Sequence, residues 1–150
     1  VPPVGMRRAA TIVVSAALLS GGLGSATAGA RSTQAAATHS WTTKGAYAAV
    51  DGGGTYTRNS KRVTVDGWLR DRKTNGWAAA VQFRTTEGDW THTSAVYFFL
   101  TDGKPADLPY RKTYGRFFSS DFTSHLYARE CGVTPDKKRT TKCAKWQKIF

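Results

Sequence analysis

Residues 61–70 read KRVTVDGWLR, and residues 77–84 read WAAAVQFR. In the first run Val63, Val65 and Leu69 share one face, while Thr64, Asp66, Trp68 and Arg70 share the other. In the second, Trp77, Ala79, Val81 and Phe83 fall on one side. Successive side chains of a strand point to opposite faces, so period-two patterning marks both runs as strands with one face buried. The intervening residues 71–76, DRKTNG, end in the turn dipeptide Asn-Gly. A short turn between two alternating runs predicts a β-hairpin.

The same pattern extends outward. Residues 90–93 and 95–101 (AVYFFLT) are rich in strand-forming aromatics, and residues 46–50 suit a first short strand. Residues 122–131 (FTSHLYAREC) alternate, with Leu126 and Ala128 opposed to Tyr127 and Arg129. Residues 145–150 (KWQKIF) suit a last strand. Turn chemistry marks residues 51–54 (DGGG), 85–89 (TTEGD) and 102–105 (DGKP). The glycines at 52–54 are not a phosphate loop, since no Gly-Lys-Ser/Thr and no helix follows them. No stretch after residue 30 has the 3.6-residue period of an amphipathic helix. Short strands with turns about every ten residues point to an all-β fold, an antiparallel β-sandwich or small barrel.

The first thirty residues read differently. Arg7 and Arg8 precede an uncharged apolar run at 9–19 (AATIVVSAALL), followed by small residues at 20–30. Positive start, short apolar core and Ala-x-Ala exits at 26–28 and 28–30 are the parts of a cleavable secretory signal. The apolar core is shorter than the about 20 residues that span a bilayer, so no membrane anchor is expected after cleavage. The polar, small residues that follow extend this to a flexible leader over 31–44, with the β-rich domain at 45–150.

Cys131 and Cys143 are the only cysteines, and an even count in an exported chain reads as one disulfide. A loop this short would contribute about 2–3 kcal/mol. The chain carries 22 Lys and Arg against 10 Asp and Glu, a net charge of +12. Arg7 and Arg8 account for two of those charges, so the cleaved protein keeps +10. This balance favours anionic partners.

A resemblance accompanies these features. The run GWLRD at 67–71, NGWAAAVQF at 75–83, LYAREC at 126–131 and the final Cys143 resemble small secreted β-domain proteins of actinomycetes, most of them without assigned function. The resemblance spans about residues 61–150 and implies export and a β-fold, with no catalytic residue to transfer. The chain departs from the pattern at Trp77, where such proteins often carry a cysteine, so one disulfide is missing.

Chemistry-bearing constellations are few. His39, His92 and His125 lie at none of the spacings of a local metal pair, though His92 and His125 could meet if their strands are neighbours. Two cysteines without paired histidines do not make a zinc site. Glu87 and Asp89 share one turn rather than flanking a cleft, and no Gly-x-Ser-x-Gly elbow exists. No catalytic residue, metal or cofactor is expected. The candidate ligand-binding residues are basic: Arg111, Lys112 and Arg116 among Tyr110, Tyr114, Phe117 and Phe118, and Lys137, Lys138, Arg139 and Lys142 in the cysteine loop. Cations neutralise the charges of an acidic polymer, and rings stack on bases or sugars. The expectation is a secreted, monomeric, non-enzymatic protein that binds anionic envelope or other acidic polymers. The alternatives are an extracellular inhibitor or protein-interaction module and, behind it, a small enzyme or toxin.

Overall fold

The computed structural model describes residues 36–150, so the signal segment lies outside the described residues. Two antiparallel sheets face one another. Sheet A holds β1 (Ala37–Thr42), β2 (Val50–Arg58), β3 (Val63–Asp71) and β9 (Tyr110–Ser120), in the order β1-β2-β3-β9. Sheet B holds β4 (Ala78–Glu87), β5 (Trp90–Thr93), β6 (Tyr97–Phe98), β10 (His125–Val133), β11 (Thr141–Cys143) and β12 (Gln147–Lys148). Its path is β11-β10-β4-β5, with β12 also on β10 and β6 also on β4. A small hairpin, β7 (Leu100–Thr101) and β8 (Lys104–Pro105), turns through Asp102 and Gly103, both at positive φ. The described residues contain no helix, hence none able to cross a membrane.

The alternation in the first quoted run is realised: Val63, Val65 and Leu69 are fully buried. From the facing sheet come Ala79, Val81 and Phe83 of β4 and Leu126 and Ala128 of β10. Phe83 is the joint between the sheets. Its ring meets Trp41 edge-on at 5.1 Å, Phe117 at 5.5 Å and Phe118 at 6.1 Å. Burying such a ring stabilises by about 1.5–3 kcal/mol relative to exposure.

The predicted hairpin does not form. β3 pairs with β2 and β9, whereas β4 pairs with β10, β5 and β6. Each strand already has both edges filled, so residues 72–77 cross between the sheets instead. Two carboxylates hold this crossing. Asp71 accepts from Lys73 N at 3.0 Å and Ala79 N at 3.0 Å, and Asp107 accepts from Asn75 N at 2.9 Å and Gly76 N at 2.6 Å. Asp71 is buried, and burial raises its carboxyl above the ordinary range against the pull of those backbone bonds.

Three further expectations need correction. Residues 46–49 form a turn rather than a strand, and β2 starts only at Val50. The DGGG stretch at 51–54 lies inside β2, not in a turn. There Gly54 pairs with Gly67 of β3, and a Cβ on Gly54 would overlap the Asp66 carbonyl oxygen and the Gly67 Cα. Glycine is required because two backbones touch at that point. The expected flexible leader over 31–44 contains β1, which pairs with β2 from Ala37↔Arg58 to Thr42↔Gly53. Its Trp41 is buried and donates from Nε1 to the Asp66 carbonyl at 2.9 Å.

The alternation of β9 is broken by a bulge. Val65 pairs with Phe118 and Gly67 with Tyr114, so residues 115–117 stand opposite Asp66 alone. The extra residues let the consecutive Phe117 and Phe118 both turn inward, which a regular strand forbids. Cys131 and Cys143 are directly paired across β10 and β11 and are joined as a disulfide.

Candidate functional site

All seven basic residues singled out from the sequence are exposed. They do not form one cluster. Arg111 stands opposite Arg70 on the outer face of sheet A, with its guanidinium 4.3 Å from the Trp68 ring centroid. Lys112 points to the other side of edge strand β9, its ammonium 5.3 Å from the Tyr114 ring. Arg116 sits on the bulge. Tyr114 is half-buried, burial pushes its phenol up to about 12, and its hydroxyl has no partner.

The second group belongs to sheet B. Lys137, Lys138 and Arg139 lie in the loop after β10. This loop is closed by the Thr134 N to Thr140 O bond at 2.9 Å and by Asp136, which accepts from Thr134 Oγ1 and Arg139 N, both at 2.8 Å. Arg139 also reaches the Gly103 carbonyl at 3.3 Å. Lys142, on β11, lies 5.1 Å from the Trp77 ring. Trp77 in turn covers Gly132, where an added Cβ would meet the indole at 3.1 Å. Tyr47, Trp77, Gly132 and Lys142 line a cleft of about 230 Å³.

The most concentrated group was missed. β4 and β10 place Arg84 opposite Tyr127 and Gln82 opposite Arg129 on the outer face of sheet B. Trp146, just before β12, covers the same patch. The Arg84 guanidinium lies 4.6 Å from both the Tyr127 and the Trp146 ring centroids, and that of Arg129 lies 4.2 Å from Trp146. Arg129 donates through Nε and Nη2 to Gln82 Oε1 at 2.9 and 2.6 Å. Gln82 is fixed in turn by Nε2 donating to the Ser94 carbonyl at 2.8 Å. Burial, and then the Arg84 charge, lower the Arg129 pKa. Arg84 Nε is buried without a partner. The opposition of Tyr127 and Arg129 to Leu126 and Ala128 carried part of this signal; the pairing of β4 with β10 and the position of Trp146 carried the rest.

The carboxylates are used elsewhere. Asp71, Asp107, Glu87, Asp136 and Glu130 all accept from backbone N–H groups. Glu130 is fully buried and takes Gly45 N at 2.7 Å and Tyr47 N at 2.6 Å, tying the β1–β2 connection to sheet B. Among the described residues, which include every Asp and Glu of the chain, only Asp121–Arg62 and Asp51–Arg72 are ion pairs.

The histidine pairing is excluded. Thr85 pairs with His92 and Thr86 with His125, so the two rings lie on opposite faces of sheet B. His92 Nδ1 instead sits 2.9 Å from Ser120 Oγ. That hydroxyl is buried and already accepts from Thr85 Oγ1 at 2.7 Å and Phe122 N at 3.1 Å. A serine hydroxyl has one proton and two lone pairs, so these contacts use its full capacity and fit a structural role. The described residues contain no group of three metal-ligating side chains. No protein-family model, curated protein or solved structure matches the chain.

Proposed function

We propose that this is a secreted, non-enzymatic binding protein for anionic polymers of an envelope or extracellular matrix. The observation that carries this reading is the division of labour between charges. Half of the ten carboxylates accept from backbone amides and hold loops, whereas cations stand outward on aromatic rings with few acidic partners. A guanidinium stacked on a ring does not spend its in-plane N–H donors on the ring, although Arg129 gives Nε and Nη2 to Gln82, and the ring fixes its direction at little entropic cost. Such groups on both outer faces of a sandwich suit a long, flexible polyanion. Export is supported by the leader residues and by the disulfide, which persists in oxidising compartments.

Adsorption to immobilised linear polyphosphate, with neutral dextran as the control, tests the reading. Binding should be confined to the polyanion and fall steeply between about 50 and 200 mM salt. Equal retention on dextran, or retention indifferent to salt, would remove it.

A second reading, an inhibitor or protein-interaction module, draws on the residue 134–140 loop, which its internal bonds and the neighbouring disulfide hold in one exposed shape. A one-to-one complex with a purified extracellular hydrolase, lost on Lys137→Ala/Lys138→Ala, would favour this reading over polymer binding.

A further inference from the structure

We infer that Arg84 and Arg129, on the outer face of sheet B, form a discrete site for a dianionic phosphate group of the phosphomonoester type. The inference rests on the polyanion-binding reading and names the group that one part of the surface selects.

Four observations converge there. Two guanidiniums stack on one ring, at 4.6 Å (Arg84) and 4.2 Å (Arg129) from the Trp146 centroid. Neither is ion-paired among the described residues, so two like charges stand together without compensation. This is costly where rings exclude water, and a bound anion relieves it. The surroundings are fixed rather than loose: Tyr127 and Trp146 hold Arg84, and the Gln82–Ser94 bond braces Arg129 through two donors. The rim adds donors of the right kind. Thr93 is directly opposite Arg84 and Lys148 directly opposite Tyr127 on the same face, both exposed.

The chemistry favours phosphate over carboxylate. Guanidiniums match phosphate oxygens: Gln82 holds Nε and Nη2 of Arg129, which leaves its Nη1, Arg84 offers its terminal nitrogens, and a tetrahedral group can accept from both residues at once. A carboxylate has one planar pair. Two positive charges balance a monoester dianion and leave a diester monoanion undercompensating. Because a phosphomonoester has its second pKa near about 6, the site should weaken as pH falls below that value.

Titration of the folded protein with methyl phosphate, followed by calorimetry and by the arginine Nε–H resonances, tests this directly. One saturable site is expected, with shifts at Arg84 and Arg129. Dimethyl phosphate and acetate should bind at least about tenfold more weakly, as should methyl phosphate to Arg84→Gln or Arg129→Gln, the loss expected for a charge-assisted hydrogen bond. Arg84→Lys keeps the charge and the fold but loses the fork, and should still bind several-fold more weakly. Arg62→Gln, which alters a cation already paired with Asp121, should bind as the parent does. Equal affinity for methyl and dimethyl phosphate, no saturable site, or equal losses in Arg62→Gln and Arg84→Gln would overturn the inference. Adsorption to polyphosphate without methyl phosphate binding would overturn this site alone. Loss of both would remove the polymer reading with it.

Discussion

The outer faces of the two sheets are built from the same parts and differ in one respect. On sheet A, Trp68 carries Arg111, with Arg70 opposite, but Asp51 stands across from Arg70 and pairs with Arg72 at 2.6 Å. On sheet B, Tyr127 and Trp146 carry Arg84 and Arg129, and the polar partner is the neutral Gln82. Neither Arg70 nor Arg111 is itself ion-paired among the described residues, but carboxylates beside a cation–ring stack offset part of its charge. Without them it leaves its charge for a ligand. Surface ion pairs contribute only about 0–1 kcal/mol, so the difference matters less for stability than for what each face can hold.

The comparison presumes that both faces ride on one core, and Phe83→Ala breaks that premise most severely. It should cost about 3–5 kcal/mol in urea unfolding and weaken both faces together. Gly54→Ala strikes sheet A, where the new methyl meets the Asp66 carbonyl and Gly67, and should cost about 3 kcal/mol, the upper range for overpacking. Hydrogen exchange should then rise first in β2 and β3. Replacing Cys131 and Cys143 by serine acts on sheet B instead, with about 2–3 kcal/mol lost and exchange rising along β11.

A smaller effect tests the crossing that joins the faces. The folded pKa of Asp71 lies above its unfolded value, so its protonated form is favoured by folding. That contribution is complete below the ordinary carboxylate range and is lost as pH rises through the raised value. Asp71→Asn removes the ionisation but also one acceptor of a backbone N–H. It should therefore be less stable than the parent by about 1 kcal/mol at low pH, with the gap narrowing as pH rises. A gap that widens with pH would contradict the assignment.

Much of the fold was legible because burial imposes period two. The inward sets Val63, Val65, Leu69 and Leu126, Ala128 stand where alternation put them. Which strands lie side by side was not legible. Alternation fixes the face a side chain looks toward and says nothing about its lateral neighbour, so residues 71–76 read as a hairpin turn while Asp71 and Asp107 hold them as a crossing. The glycines at 52–54 misled for a related reason: the same residue serves a turn or a close backbone approach, and only the partner Gly67 distinguishes the two. At the site, exposure of the basic clusters was legible from their composition. The Arg84–Arg129 pair was not, because its members come from two strands and a C-terminal tryptophan that only the sheet B pairing brings together.

The most direct test of the difference between the faces is the salt dependence of adsorption to phosphocellulose, a polymer bearing phosphomonoester groups, in two double variants. Arg84→Gln/Arg129→Gln should lose at least about tenfold in affinity and flatten the salt slope by roughly two contacts, while Arg70→Gln/Arg111→Gln should lose distinctly less. Equal losses in the two variants would mean that adsorption follows net charge alone, and would contradict the assignment of the outer face of sheet B as the selective one.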